Sequence, residues 1–486
     1  MRAARIAVLA AIAVLGIAAQ AAASPVLVLH GKRVAVRDER FSGPTELTPP
    51  PATAPARRER RQTAPKGRAT RDALDALLAQ GQIDQPTHDA RYDTMSRALR
   101  AYRTLTGTRK TELGAVIDNT DAISASGQLT PTRLGPVFLT LSRNTEWWTA
   151  GKVPASGQRI GFSGSQLIFQ YYPGQGIQLQ MLANFSRVNA LWSSRKRTDL
   201  RALLGELVPL ATDRGGFLAW EYFFNFGGGA PPWSSSISQG TAVQSIGRAG
   251  KLLNDPALTD VATRALGLFE QPPPLGVRDD TPDGAFYVIY TFAPKLLVLN
   301  AHLQAVIGLY DFAQLTGDPR AQALYAAGES EARVAVPRYD TGKWSLYSLE
   351  RESDLSYHEL VTTFLGNLCK RTQEAVYCDT ATRFTDYLKV PPAVAQNTRR
   401  IRAGKPARIG FSLDKVSRVG LTVADSRGRT VFATSAVVYR GQRYYTWRTP
   451  AKAGLYKVTV SATDLAGNRA KPATGSLRIL KARKAG

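Results

Sequence analysis

The stretch Pro232–Leu266, PWSSSISQGTAVQSIGRAGKLLNDPALTDVATRAL, contains a helix stop and a helix start side by side at Asn254-Asp255-Pro256. An aspartate just before a helix accepts from the exposed N–H groups of the first turn, and a proline at the first helical position has no N–H to lose. The same device stands at Gly317-Asp318-Pro319, with a weaker version at Thr198-Asp199. A polar stretch, Lys370–Tyr377, lies between Cys369 and Cys378 and reads as a fourth turn. These sites recur about every 60 residues, which predicts helical hairpins joined by long return loops. Hairpins set in a ring bury a common apolar core, and their loops gather at one end, where a site can form. The expected fold of residues 70–392 is therefore mainly α, an α/α toroid or incomplete barrel of helical hairpins.

Upstream, Leu74, Leu77 and Leu78 fall at helical spacing, as do Met95, Ala98, Leu99 and Tyr102, and then Leu113, Val116 and Ile117. Residues 24–69 read as a basic linker rich in Pro, Ala and Arg. Their first part, PVLVLHGKRVAV (25–36), alternates enough for one strand, while 44–69 has no apolar period and cannot offset its ordering entropy by burial. The cluster Arg57-Arg58-Glu59-Arg60-Arg61 within it either docks on an anionic polymer or is simply solvated. Residues 1–23 read as a signal peptide: Arg2 and Arg5 precede the apolar run Ile6–Ala19, followed by Ala21-Ala22-Ala23-Ser24. That run is shorter than the ~20 apolar residues of a spanning helix, and no other stretch is long and apolar enough, so no transmembrane segment is expected. The protein is expected to be secreted or cell-surface associated. Export permits a disulfide, so Cys369 and Cys378 are either bridged or two buried thiols.

After Pro391-Pro392 the pattern changes to short strands, among them RIGFSL, VGLTVAD and GLYKVTVSATD, separated by Gly, Asp and Asn. This predicts an all-β sandwich over 395–482. Gly454–Val460 followed by Asp464-Leu465-Ala466-Gly467-Asn468 resembles the last strands of bacterial immunoglobulin-like modules. About twenty Lys and Arg face three Asp between residues 395 and 486. The whole chain carries 63 Lys and Arg against 38 Asp and Glu, net +25. Such a balance suits an acidic partner. Either the module grips an anionic cell envelope or polysaccharide, or it is a soluble spacer with a basic surface.

At 486 residues and 44% hydrophobic content the chain folds a sizeable core, which excludes a disordered or fibrous protein. Two cysteines and four histidines supply no zinc framework, and no metal or cofactor is expected. No phosphate loop, dinucleotide fingerprint or nucleophile elbow appears, and no nucleic-acid partner is expected. Aromatic residues do gather at loop–helix junctions: Tyr171-Tyr172-Pro173-Gly174-Gln175-Gly176, Trp233, Tyr290, Tyr347 and Tyr357-His358. Aromatic faces with amides beside them suit sugar rings, although buried tyrosines serve equally as packing residues.

Those same stretches resemble the helical C-terminal domain of D-glucuronyl C5-epimerases. Pro232–Leu266, Leu297–Asp311, Tyr339–Leu349 and Ser356–Lys389 follow the family's order, so the likeness spans roughly residues 160–390. It implies an α/α barrel-like domain and inversion at C5 of uronosyl units in an acidic polysaccharide, without a cofactor. The resemblance assigns catalytic tyrosines to Tyr290, Tyr347 and Tyr357. Trp233, Gln239, Arg248, Arg351, His358 and Tyr172 are the expected substrate-binding residues. The sequence departs from the family twice: Ile289 stands where the family has glutamate, and Glu350 where it has arginine, with Arg351 one position later. Glu221 or Glu359 would have to replace the lost carboxylate. His302, on a helix with Val298, Leu299 and Val306, reads as a core or groove residue. Three readings follow: an epimerase, a catalytically inactive glycan-binding envelope protein, or a polyuronate lyase that shares the tyrosine base.

Overall fold

The computed structural model describes residues 23–49 and 65–481. The signal-peptide reading, up to residue 22, and the Arg57–Arg61 cluster lie outside these residues. Four helices come first: α1 (Arg68–Ala79), α2 (Gln85–Thr104), α3 (Gly107–Ala125) and α4 (Leu134–Ala150). Four hairpins follow: α5 (Met181–Ser193) with α6 (Arg197–Leu207), α7 (Ser236–Leu253) with α8 (Pro256–Arg264), α9 (Leu299–Thr316) with α10 (Pro319–Ala335), and α11 (Leu355–Thr372) with α12 (Ala375–Tyr387). The first members pack side by side in the order α5, α7, α9, α11, each with its own partner helix against it. This is the incomplete α/α toroid read from the turn spacing. Among the described residues no helix is long and apolar enough to cross a membrane.

The turns behave as their chemistry requires. Asp255 accepts from Ala257 N at 3.2 Å, and Asn254 ends α7 in the left-handed region at φ 55°. Asp318 accepts from Arg320 N and Ala321 N at 2.8 and 3.0 Å. Cys369 and Cys378 are bonded across the α11–α12 turn. The first turn differs from expectation: α6 starts at Arg197 without a side-chain cap, so Thr198 and Asp199 already sit in its first turn. Along the inner ring, α7 and α9 cross in direct backbone contact. A Cβ on Gly308 would fall 2.2 Å from Gly240 O, so both positions exclude any side chain.

The main departure from the sequence reading lies in residues 23–49, which are not linker. Strands β1 (Ala23–His30) and β2 (Arg33–Arg40) form a hairpin, where Gly31 at φ 59° makes the two-residue turn possible. β1 also pairs in parallel with β3 (Arg159–Phe162), which continues through β4 (Phe169–Tyr172) to β5 (Gly176–Leu179). Val26, Leu27, Val28 and Leu29 are all buried because β1 is a central strand. One apolar core then runs without break from Leu27 to Phe384.

The C-terminal sandwich sets a three-stranded sheet (394–396, 406–413, 441–448) against a five-stranded one, with Phe411, Leu421, Trp447, Val458 and Val460 between them. It is docked on the toroid. Glu352 accepts from Val416 N at 3.0 Å and Arg440 N at 2.7 Å. Lys415 is buried, paired with Asp464 at 2.6 Å and bonded to Tyr387 O at 2.9 Å.

His302 and His358 are both fully buried and held neutral, pushed down to about 3 and about 4 by desolvation. The unfolded chain therefore binds more protons than the folded one between those values and about 6.5, and stability falls as pH drops through that window. Thermal melts should lose on the order of 2 kcal/mol per histidine by about pH 4.5. In His302→Gln this acid limb should be flatter; an unchanged pH slope would contradict the assignment.

Candidate functional site

The return loops of the toroid gather at one end, and each contributes an aromatic side chain. Tyr222 comes from the loop between α6 and α7, where it bridges to Trp233. Tyr290 follows the strand Gly284–Tyr287 and pairs with Ser235, which places it at the start of α7. Tyr347 lies on the short strand Leu346–Ser348. Tyr357 is the third residue of α11, its N–H bonded to Asp354 at 2.9 Å. Tyr172 ends β4. Glu112 fixes the adjoining turn by accepting from Tyr171 Oη, Gly174 N and Gly176 N, each at 2.9 Å.

Tyr290, Tyr347 and Tyr357 meet. The rings of Tyr347 and Tyr357 stand edge to face at 4.9 Å. Tyr290 donates to the Thr48 carbonyl at 2.7 Å, and Thr48 Oγ1 donates to the Tyr357 hydroxyl. Thr48 also lies beside the buried Tyr347 hydroxyl, near enough to ease its ionisation, although no well-formed hydrogen bond joins that hydroxyl to a partner among the described residues. One residue of the N-terminal segment thus sits where the three phenols converge. Residues 41–49 form a strap over the mouth. Phe41 and Leu47 are buried, Ser42 N donates to Ser186 O at 2.9 Å, and Arg159 donates to Thr45 Oγ1 at 2.6 Å while stacking on Phe41.

Burial drives all three phenols upward, Tyr357 to about 12 and Tyr290 well above its ordinary value. Arg351 pulls Tyr347 partly back; at Tyr357 the hydrogen bond from Thr48 does most of this, and the charges of Asp354 and Glu46 push upward against the weaker pull of Arg351. Arg351 reaches the cluster although it stands one position beyond Glu350. Its Nε donates to Tyr439 of the sandwich at 2.9 Å. No carboxylate hydrogen-bonds any of the three hydroxyls among the described residues.

The other expected site residues divide. Tyr172 belongs to the cluster: its hydroxyl accepts from Gln180 Nε2 at 2.8 Å, its ring packs on Phe224 at 4.7 Å, and it lies close enough to Tyr290 that ionising one phenol opposes ionising the other. Trp233 backs the site, fully buried, stacked on Tyr222 at 4.3 Å and edge to face with Tyr290 at 5.5 Å. Gln239, Arg248 and His358 do not join it. The Gln239 amide is used up on Leu218 O and Ala265 O. Arg248 lies toward the far end of α7, bonded to Asn189 and to Asp311 at 2.8 and 2.7 Å. His358 faces inward from α11, stacked on Trp344 at 3.8 Å and bonded to Ser345 Oγ and Phe384 O. His302 is core, its Nδ1 accepting from Tyr287 N. Neither substitute carboxylate arrives: Glu359 is exposed, and Glu221 is locked between Arg133, Arg214 and Thr212. Thr48, Arg159 and Gln180 were not anticipated. Thr48 lies in TELTPPP, whose composition hides its packing role; the one legible signal was the apolar Leu47 beside it.

Residues 214–386 match the family model described as D-glucuronyl C5-epimerase C-terminus. The chain is 30% identical over 178 residues to the D-glucuronyl C5-epimerase of Caenorhabditis elegans, which covers 32% of this chain and 29% of the relative. It is 25% identical over 170 residues to an uncharacterized protein of Methanocaldococcus jannaschii, covering 33% of this chain and 55% of that protein. The chain thus spans under a third to about half the length of these relatives, and the family match covers residues 214–386, helices α7 to α12, a shorter span than the 160–390 read from the sequence. A cellobiose 2-epimerase structure from Spirochaeta thermophila is similar at 12% identity and a TM-score of 0.30, covering 66% of this chain and 85% of that one. The fold assignment rests on the helix packing above.

Two outcomes check this geometry. Glu221→Ala should cost about 3–5 kcal/mol of stability, because it strands two buried guanidinium groups; a melting temperature equal to the parent's would contradict the structural role. Leu47→Ala should loosen the strap, so nitration of Tyr357 and Tyr347, mapped by mass spectrometry, should rise several-fold. Unchanged nitration would show that the strap does not shield them.

Proposed function

We propose that the protein is an exported polysaccharide-modifying enzyme of the uronosyl C5-epimerase type, acting on an acidic glycan at the tyrosine cluster. The observation that carries this reading is the convergence of Tyr290 and Tyr357 on two oxygens of one residue, with the Tyr347 hydroxyl beside it lacking a well-formed hydrogen bond among the described residues. A buried donor without a partner costs free energy, and a sugar hydroxyl or carboxylate in place of Thr48 would satisfy it. The strap is then a stand-in for substrate, and binding requires its displacement.

The chemistry follows from the acidity of a C–H bond next to a carboxylate. One phenol, as phenolate, takes the C5 proton and leaves an enolate-like anion. Arg351 at the rim offsets that charge. A second phenol returns a proton to the opposite face, which inverts the centre, and exchange with solvent resets the pair. Tyr290 and Tyr357 are the acid–base pair, with Tyr347 binding the ring or its carboxylate. The same anion, losing the group at C4 instead, would give a lyase product.

A second reading has a specific observation behind it. Ile289 replaces the family glutamate and no carboxylate hydrogen-bonds the phenols among the described residues, so a toroid that holds glycan without turnover fits the same geometry.

Proton NMR with uronate polymers in D2O separates these outcomes. Inverted product with deuterium at C5 is expected, lost about 100-fold or more in Tyr290→Phe and Tyr357→Phe. Binding without exchange would establish the inactive reading, and an unsaturated product the lyase. Because the base form of a phenol held near 12 is scarce at neutral pH, the exchange rate should rise about tenfold per pH unit from about 7 to 10. A pH-independent rate would exclude a tyrosine base.

A further inference from the structure

The two outer faces of the C-terminal sandwich differ in kind. On the five-stranded sheet the outward positions are mostly small, among them Gly420, Thr459, Ser461 and Ser476, with scattered cations. On the three-stranded sheet the register lines up three cross-strand rows: Asn397 with Gly410 and Tyr444, Ser412 with Gln442, and Arg408 with Thr446. Arg448 lies two pairs further along, at the next pair on this face, opposite Pro406. Gly410 leaves the surface flat between Asn397 and Tyr444. The Tyr444 ring is 50% exposed, and the Arg408 guanidinium lies 4.2 Å from its centroid. Neither Arg408 nor Arg448 has a hydrogen bond or an acidic partner among the described residues, whereas Arg429, on the same module, is paired with Asp425. Asn397 and Gln442 bond each other at 2.6 Å and leave their remaining amide valences free.

From this arrangement we infer that the outer face of the three-stranded sheet is a second polysaccharide site, specific for acidic glycan. An exposed phenol gives an apolar face on which a pyranose ring stacks. A guanidinium lying over an aromatic ring keeps its N–H edges free, and these match a carboxylate in a two-point contact. The paired amides bind hydroxyls. Four cationic or amide side chains around one aromatic, with no carboxylate among them, suit a chain of uronate units and give a neutral glucan less to hold.

The position of this face supports one polymer bridging both sites. Tyr439, which accepts from Arg351 at the rim of the tyrosine cluster, precedes Tyr444 by five residues, a span of at most roughly 17 Å. Glu352 pins the intervening Arg440 backbone, so the two sites keep a fixed spacing. A chain seated on the sheet is thereby held at high local concentration near the toroid mouth. This inference takes its ligand class from the proposed function, but the site stands on its own residues.

The test is affinity electrophoresis of the full chain in gels holding soluble polyglucuronate, neutral glucan or neither. Tyr444→Ala, and Arg408→Ala with Arg448→Ala, should each weaken retardation by polyglucuronate about tenfold while the melting temperature stays at the parent's value. Raising salt should weaken the parent and leave the double arginine variant less affected. Parental retardation of both variants would overturn the inference, as would equal retardation by neutral glucan, or tighter binding to anionic phospholipid vesicles than to polyglucuronate. The fate of the proposed function reads out separately. Loss of retardation in these variants with no C5 exchange in the parent would leave the sheet site standing alone. C5 exchange together with undiminished retardation would remove the sheet site alone.

Discussion

Three phenol hydroxyls meet at the mouth of a helical ring, and one threonine of the N-terminal segment stands against all of them. Thr48 supplies a carbonyl to Tyr290 and a hydroxyl to Tyr357, and lies beside the Tyr347 hydroxyl, which has no well-formed hydrogen bond among the described residues. Everything else at this end of the toroid serves that convergence. The return loops deliver Tyr290 and Tyr347, the capped first turn of α11 fixes Tyr357, and the buried stack of Trp233 on Tyr222 stiffens the wall behind Tyr290. The strap that brings Thr48 is itself a continuation of β2 in the N-terminal sheet, held by Phe41, Leu47 and Arg159.

Turn chemistry made the helical region legible. Asp255 and Asp318 cap their helices as a short polar residue before proline must, and the hairpin period gave the ring. Periodicity alone could not reveal the N-terminal sheet. VLVL at 26–29 reads as a strand, but its partner β3 lies more than 120 residues away, and no local pattern announces a parallel pairing of that separation. The strap was hidden for a related reason: its proline-rich composition matches a linker, and its buried anchors, Phe41, Pro44 and Leu47, follow no strand or helix period long enough to read.

The same limit explains the site. Tyrosines at loop–helix junctions pointed to the end of the fold where Tyr290, Tyr347 and Tyr357 meet, because loops gather there. They did not distinguish Tyr357 from its neighbour His358, which the helix turns through about 100° into the core, where Trp344 and Phe384 enclose it. Arg248 and Gln239 sit on the same helix as Ser236, yet one is consumed by Asp311 at the turn end and the other by two loop carbonyls. Glu221 looked like a spare carboxylate, and its two arginines lie 88 and 7 residues away in sequence. Charge pairing across such distances is a property of the fold.

In the proposed function, electrostatics ties the two domains to one kind of partner. The cluster presents donors and Arg351 to a bound oxygen, and the sandwich beside it presents unpaired cations. The decisive measurement is a structure of the protein soaked with a glucuronate hexasaccharide. A sugar ring is expected among Tyr290, Tyr347 and Tyr357, with Thr48 withdrawn and the strap displaced. A strap still in place, with Thr48 bonded as before and the oligosaccharide bound elsewhere, would contradict the role given to the three phenols.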